Sequence, residues 1–305
     1  MPFSHHSHSG QFCGHAKNTL EEVVQRAVSL GMETLALTEH MPRDERDLYP
    51  EEMETRESLF ALFDAYYKEA KRLQNKYADQ IHVLVGVEID WIRSSSKEFV
   101  SNLFGEYEFD LFVGSVHHVN TIPIDYDNIL YERARDTTEG TDEKIFEAYF
   151  DAQYEMLKAL KPPIVGHFDL IRLKSDDFNG SFQQYAEVWR KIQRNLSFVA
   201  EYGGVLELNS AALRKGMSEP YPKEEICMEF LKSGGQFTLS DDSHAVEQVG
   251  FAFDLVLKFA QKLEIDALTV FEKGANTRDA RFPGTSLRRS LIKDLPSHKF
   301  FVSTK

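Results

Sequence analysis

The stretch S-H-H-S-H-S-G-Q-F-C-G-H-A, Ser4 to Ala16, holds four of the chain's eleven histidines. His6 and His8 stand two apart, and His15 follows seven residues later. In an extended segment, side chains two apart point to the same side. His6 and His8 can therefore reach one small volume, as two imidazoles on one metal ion would, and imidazole suits zinc, iron, nickel and copper. Taken alone, the stretch also fits a disordered tail or an expression tag. Its irregular spacing, and the Phe3, Phe12 and Cys13 set among the histidines, speak against a tag. The reading turns on whether later parts of the chain supply partners.

Outward from this stretch the chain alternates between helical and strand patterns. Thr19 and Glu22 form a capping-box pattern. Leu20, Val23, Val24, Ala27 and Leu30 then repeat at helical spacing up to Gly31. Short apolar runs at 34–38, 81–89, 110–116, 164–166, 205–208 and 236–239 read as strands. Helical patterns at 51–78, 142–160, 182–202, 223–233 and 246–263 lie between them. A shorter helix is expected at 94–104. With Pro2 to Ser9 as the first strand, about seven strands result. Such alternation signals parallel βα units. No repeat or break in composition divides the chain, so residues 1–305 read as one domain. It carries an irregular, acidic insertion around 120–140 and a mixed segment around 264–305, with a short strand at 267–271.

The metal-capable residues fall at the strand ends. His40, Glu88, His117, His167 and the pair Asp242 and His244 each come at or just past the C-terminal end of an expected strand, as does Asn209. In a barrel of parallel strands those ends converge on one face, where barrel enzymes place their sites. Singly, each residue fits a hydrogen-bonded histidine, an ion-pair glutamate or a helix-capping aspartate. Together they are seven histidines (His6, His8, His15, His40, His117, His167, His244) and two carboxylates (Glu88, Asp242). One zinc usually takes four ligands, so the set fits two or three ions, with Glu88 as the bridging carboxylate. Clustered ions are a device for hydrolysing phosphate esters. His5 and His118 adjoin candidate ligands and are read as outer or substrate-facing groups; His82 and His298 lie apart.

A chain of 305 residues suits an α/β barrel, which takes ~250 residues or more. Two cysteines give no disulfide framework and no cysteine-rich zinc module, and fit a reducing compartment. No run reaches the ~18 apolar residues of a membrane span. No secretory pattern opens the sequence, and a cytoplasmic protein is expected. The net charge of −14 opposes binding to a nucleic-acid backbone, but not to a small phosphate held by cations.

Six motifs in order, H-S-H at 6–8, T-E-H at 38–40, G-V-E-I at 86–89, G-S-V-H-H at 114–118, G-H-F-D at 166–169 and S-D-D-S-H at 240–244, together resemble the polymerase and histidinol phosphatase (PHP) superfamily. They span about four fifths of the chain. The Q-F-C-G-H-A, L-T-E-H-M-P-R and G-H-F-D-L-I-R segments resemble its histidinol-phosphatase branch. The resemblance implies a distorted, TIM-like (β/α)7 barrel with a trinuclear site at the C-terminal strand ends. Its ligands would be His6, His8, His15, His40, the bridging Glu88, His117, His167, Asp242 and His244. Two positions depart from the pattern: Glu39 and Ser4 stand where aspartate is frequent.

The expected activity is metal-dependent hydrolysis of L-histidinol phosphate to L-histidinol and phosphate, a step of histidine biosynthesis. Two or three zinc, iron or manganese ions would serve it. Glu88, Asp242 and His244 are the expected catalytic groups, and Asp242 and His244 remain equal candidates for protonating the leaving oxygen. Arg172, Arg214, His118 and, more weakly, Arg43 are candidates for binding substrate; an arginine can clasp phosphate in bidentate fashion. Asp125, Asp127 and Trp91 are candidates for the ammonium and imidazole groups. The partner is a small phosphomonoester, with no nucleic acid or membrane, and the oligomeric state stays open. Competing readings are a PHP phosphoesterase for another phosphomonoester or nucleotide, a metal-dependent amidohydrolase, and a non-catalytic metal-binding protein.

Overall fold

The computed structural model describes residues 2–49, 52, 54–274, 281–282, 284–298 and 300. Strand β1 (Phe3–Ser4) leads through the histidine stretch to helix α1 (Leu20–Ser29) and strand β2 (Thr34–Leu37). Then follow α2 (Arg56–Lys76), β3 (His82–Asp90), α3 (Ser96–Glu106) and β4 (Leu111–Ser115). A small hairpin, β5 (His118–Val119) and β6 (Ile122–Pro123), precedes α4 (Asn128–Asp136) and α5 (Asp142–Leu160). Next come β7 (Ile164–Val165), α6 (Ala186–Tyr202), β8 (Val205–Asn209), the single turn α7 (Ala211–Arg214) and α8 (Glu224–Lys232). They lead to β9 (Gln236–Ser240), α9 (Phe253–Lys262) and a second hairpin, β10 (Ala267–Lys273) and β11 (Thr285–Leu291).

Seven strands form one parallel sheet in the order β1-β2-β3-β4-β7-β8-β9. The sheet curls until its edges meet. The His5 N–H donates to the Leu239 carbonyl at 3.2 Å, and the His8 N–H to the Ser243 carbonyl at 2.8 Å. This is the expected seven-stranded barrel.

Strand β3 shows how one sequence serves two environments. Val83, Val85, Val87 and Ile89 face outward and join the core between strands and helices. Leu84 faces inward and packs with Ala36, Leu111, Val113, Ile164 and Val205 in a separate apolar cluster inside the barrel. Two and three pleats further on, the same inner face presents Glu88 and Asp90, both buried. The barrel interior is therefore apolar toward the strand starts and ionic toward their ends.

Several boundaries differ from expectation. The first strand is Phe3–Ser4, not Pro2 to Ser9, because beyond Ser4 the pairing becomes mixed: the Ser7 N–H goes to Thr38 Oγ1 at 3.0 Å. The segment 120–140 is not irregular. It holds β6 and α4, whose Leu130, Tyr131 and Ala134 are buried and whose start is capped by the Asp127 carboxylate. The expected helix at 246–263 divides into a 3-10 turn (Val246–Gln248) and α9, because Gly250 and Ala252 adopt left-handed φ of 72° and 52°. The 264–305 segment contains the β10–β11 hairpin, which closes the N-terminal end of the barrel. Phe271 enters the inner apolar cluster, Thr269 Oγ1 meets the Gln236 side chain at 3.0 Å, and Thr285 Oγ1 donates to the Asp110 carbonyl at 2.7 Å.

Candidate metal centre

All nine expected ligands converge at the C-terminal ends of the strands in overlapping groups, with His8, Asp242 and His244 linking the first of three sets to the third. In the first, His6 Nε2 and His8 Nε2 lie 3.3 and 3.4 Å from Glu88 Oε2, and 3.7 and 3.4 Å from Asp242 Oδ1. In the second, His167 Nε2 lies 3.1 Å from Glu88 Oε1 and 3.1 Å from His117 Nε2. The third gathers His15, His40 and His244 with Cys13, and His40 Nδ1 lies 2.9 Å from Glu88 Oε2. Glu88 thus touches the first two groups with its two oxygens and the third through His40.

The donor set fits cations. Nε2 of His6, His8 and His40 and Nδ1 of His167 are buried without a hydrogen-bond partner, a costly condition in a folded protein. Two imidazole nitrogens facing each other at 3.1 Å, as in His117 and His167, either share a proton or ligate a common ion. His6, His8, Glu88 and Asp242 would hold one divalent ion, Glu88, His117 and His167 a second, and His15, His40 and His244 a third.

Electrostatics divide the imidazoles. Burial opposes protonation of His8, but the Asp242 and Glu39 carboxylates outweigh it and carry His8 up to about 9. His117 is likewise carried up to about 10 against its burial, by Glu88 and Asp90. Burial and then the charged His8 hold His15 down to about 4 and His40 down to about 3. The same two causes hold His244 well below its ordinary value. Burial pushes the Glu88 carboxyl up, but His6, His117 and His40 together hold it well below the usual range. The cluster is a set of anions that attract positive charge, bordered by imidazoles with open lone pairs.

A ring of carboxylates outside the cluster aims the imidazoles. Glu207 Oε2 lies 3.1 Å from His6 Nδ1, Glu39 Oε1 lies 3.0 Å from His8 Nδ1, and Asp90 Oδ1 lies 3.3 Å from His117 Nδ1. Each contact turns the opposite nitrogen, Nε2, toward the centre. Glu207 also accepts the His167 N–H at 2.6 Å and the Ser240 hydroxyl at 2.8 Å. Glu207 and Asp90 were not among the residues singled out from the sequence. The signal for them was the strand period, since each shares an inward face with a chemically informative neighbour, Asn209 and Glu88. Asp242 has a left-handed φ of 48°, a strained conformation of the kind found at functional sites.

A cavity of about 500 Å³ opens over the cluster. Arg214 and Lys215 line it beside Asp242 and His244, while Tyr49, Glu52, Glu54, Asp125 and Tyr126 also contribute to its lining. Arg214 is anchored by the carbonyls of Asp241 and Asp242 at 3.2 and 3.1 Å. Asp125 has a buried Oδ1 with no hydrogen-bond partner, and Tyr49 stacks on Tyr126 with ring centroids 5.3 Å apart.

The other candidates for substrate contact stand elsewhere. Arg172 is buried and does not line the cavity. Its Nε donates to Asp169 at 2.8 Å, and its terminal nitrogens go to the carbonyls of Phe178, Glu219 and Pro220. It ties loops together and is not placed to clasp phosphate. Arg43 pairs with Glu52 and covers the Tyr49 ring at 4.5 Å, outside the main cavity. His118 is buried behind the cluster, 3.3 Å from Asp90 Oδ2. Trp91 belongs to the apolar core, and Asp127 caps α4. His5 is bonded to the C-terminal hairpin, away from the cluster.

The PHP domain family matches residues 4–211. A Schizosaccharomyces pombe protein named "Probable histidinol-phosphatase" is 44% identical over 277 residues, covering 90% of each chain. The histidinol-phosphatase of Saccharomyces cerevisiae is 36% identical over 291 residues, covering 84% of this chain and 87% of its own. Among solved structures, the Lactococcus lactis histidinol phosphate phosphatase, complexed with zinc, L-histidinol and phosphate, superposes with a TM-score of 0.70 at 21% identity. That match covers 88% of this chain and 96% of the other. No helix among the described residues is long and apolar enough to cross a membrane. The chain belongs to the PHP family, in its histidinol-phosphatase branch.

Proposed function

We propose that this protein hydrolyses L-histidinol phosphate to L-histidinol and phosphate at the barrel mouth. The observation that carries the reading is one cavity with three chemistries on its walls. Seven of the nine metal-capable residues, all but His6 and His8, line it, Arg214 and Lys215 stand beside them, and Asp125 adds an unsatisfied carboxylate oxygen. The substrate has matching parts: a phosphate, an ammonium group and an imidazole. The zinc, L-histidinol and phosphate of the Lactococcus lactis complex support the same assignment.

His6, His8, His15, His40, Glu88, His117, His167, Asp242 and His244 would hold two or three divalent ions, zinc among the candidates. When bound, such ions neutralise phosphoryl oxygens and lower the pKa of water toward neutrality. The chain's own residues supply the rest. Arg214, fixed by its two carbonyl partners, and Lys215 hold the phosphate dianion from the side. Asp125 accepts the substrate ammonium, and the stacked Tyr49 and Tyr126 offer an aromatic face to its imidazole. The leaving oxygen takes its proton from water entering the cavity, because Asp242 and His244, whose Oδ1 and Nδ1 lie 3.6 Å apart, are committed to the ions and both are held well below their ordinary pKa values. A scaffold without catalysis would gain nothing from a complete ligand set below an open cavity.

Phosphate release from a panel of phosphomonoesters tests the reading. Histidinol phosphate should exceed nucleotide and sugar phosphates in kcat/KM. A nucleotide or sugar phosphate in first place would overturn the substrate assignment and leave the phosphatase chemistry standing. Asp125→Asn should raise KM for histidinol phosphate ~10-fold or more, the scale of a hydrogen bond to a charged group, with kcat little changed.

A further inference from the structure

The third group of the cluster contains a residue that the nine-ligand set leaves out. Cys13 Sγ lies 3.4 and 3.3 Å from the two ring nitrogens of His15, and its donor atom stands within 4.8 Å of those of His15, His40 and His244. Two ligands on one tetrahedral zinc, with Zn–S ≈ 2.3 Å and Zn–N ≈ 2.0–2.1 Å, sit roughly 3.6 Å apart. The Sγ–nitrogen separations are close to that edge length. The cluster also shows an independent sign of a missing partner: His40 Nε2 is buried and bonded to nothing.

The loop holds Cys13 in place through its backbone. The Cys13 N–H donates to the Ser9 carbonyl at 2.9 Å, and the Ala16 N–H returns to the Cys13 carbonyl at 3.1 Å. Ser9 is in turn locked by Glu39, which accepts both its N–H and its hydroxyl at 3.1 Å. Glu39 therefore fixes His8 on one side and the Cys13 loop on the other. Together with Glu39, Met41 and Phe63, Cys13 lines a small cavity that shares His15 and His40 with the substrate cavity, and Cys13 itself is absent from the lining of the substrate cavity. It therefore adds a donor to the third group without lining the substrate cavity.

We propose that Cys13 is a fourth protein ligand of the third metal position, binding as thiolate the same ion as His15, His40 and His244. The assignment rests on reading the cluster as a metal centre. As the sulfur–metal bond forms, the thiol proton leaves to solvent. A thiolate makes this position softer than the other two, which have only nitrogen and oxygen donors. It would favour zinc or ferrous iron over manganese.

Cobalt(II) tests this without relying on turnover. Metal-stripped protein is titrated with cobalt(II), and the near-ultraviolet thiolate-to-cobalt charge-transfer band is followed together with the visible bands. The expected result is a charge-transfer band that saturates with one ion per chain. It is absent in Cys13→Ser and unchanged in Cys227→Ser, whose thiol is buried elsewhere and donates to the Pro222 carbonyl. Affinity for that one ion should fall in Cys13→Ser by at least the ~10–100-fold that loss of an outer-shell partner costs. Visible cobalt bands without a thiolate band in the unmodified protein would overturn the assignment and leave the metal centre standing. Failure to bind cobalt at all would overturn the metal centre, and this proposal with it.

Discussion

The two ends of the barrel interior are built from the same strands and obey opposite rules. Toward the strand starts, Leu84, Leu111, Val113, Ile164 and Val205 meet Phe271 of the C-terminal hairpin in a sealed apolar cluster. Toward the strand ends, carboxylates and imidazoles crowd together with several nitrogens left unsatisfied. Consecutive histidines make the contrast at the scale of one residue. The chain bends at His5. His5 turns to the hairpin, where its Nε2 meets the Phe271 N–H at 3.0 Å, and its Nδ1 meets Thr238 of β9 at 3.3 Å. His6 turns to Glu207, Glu88 and Asp242. Burial brings His5 down to about 4, whereas His6 is raised well above its ordinary value in spite of burial, by Glu88, Glu207 and Asp242. His5 has both ring nitrogens bonded at the structural end, whereas His6 keeps an unpartnered Nε2 at the end that waits for ligands.

The contrast is broken most severely at Glu88. Glu88→Ala removes the carboxylate common to the groups, and kcat/KM for histidinol phosphate should fall ~1000-fold or more, the upper range for losing one electrostatic contributor. Bound metal per chain should fall with it, while the fold persists. Retention of full activity would show the site to be misassigned. At the other end, Phe271→Ala should cost about 3–4 kcal/mol of stability by opening a cavity in the inner cluster. Chemical denaturation would measure this, and kcat should be unaffected while the protein is folded. A large drop in kcat would mean that the two ends are not independent.

His5 gives a pH signature. Its folded value of about 4 lies below the ordinary 6.5, so the unfolded chain takes up a proton that the folded chain refuses. Stability from this group is complete above pH 6.5 and is lost as pH falls toward 4, by about 3 kcal/mol in all. Denaturation midpoints of metal-stripped protein between pH 7 and 4.5 should show a shallower loss in His5→Asn than in the unmodified chain. Equal slopes would mean that His5 is not held neutral by the hairpin. The smallest effect is expected at the orienting carboxylates. Glu39→Gln should weaken metal binding ~10–100-fold, measured by competition with a chelator.

Much of this was legible before the structure. The ligands could be found because strand ends converge, so that residues as far apart as His6 and His244 share a feature visible in one dimension. The outer carboxylates were harder. Glu207 has the same inward phase as Asn209, yet nothing local distinguishes an orienting glutamate from one in an ion pair. Arg172 was misread because its partners, Asp169 and the carbonyls of Glu219 and Pro220, are assembled only by folding. Helix α4 was hidden because its buried face is only Leu130, Tyr131 and Ala134 in a polar segment, with Ile129 exposed. Of the closing hairpin, β10 was legible as a short strand at 267–271, and its partner β11 was hidden for a related reason. That strand, T-S-L-R-R-S-L, is mostly polar or partly exposed, and its value lies in bonds to strand starts that no periodicity reveals.

The most direct test is the rate of phosphate release from L-histidinol phosphate by one preparation as isolated, after metal removal by chelation, and after zinc or manganese is restored. The account predicts activity that disappears on stripping, returns with the ions, and does not return in Glu88→Ala. Full activity in the stripped protein, with no metal detectable by elemental analysis, would contradict it.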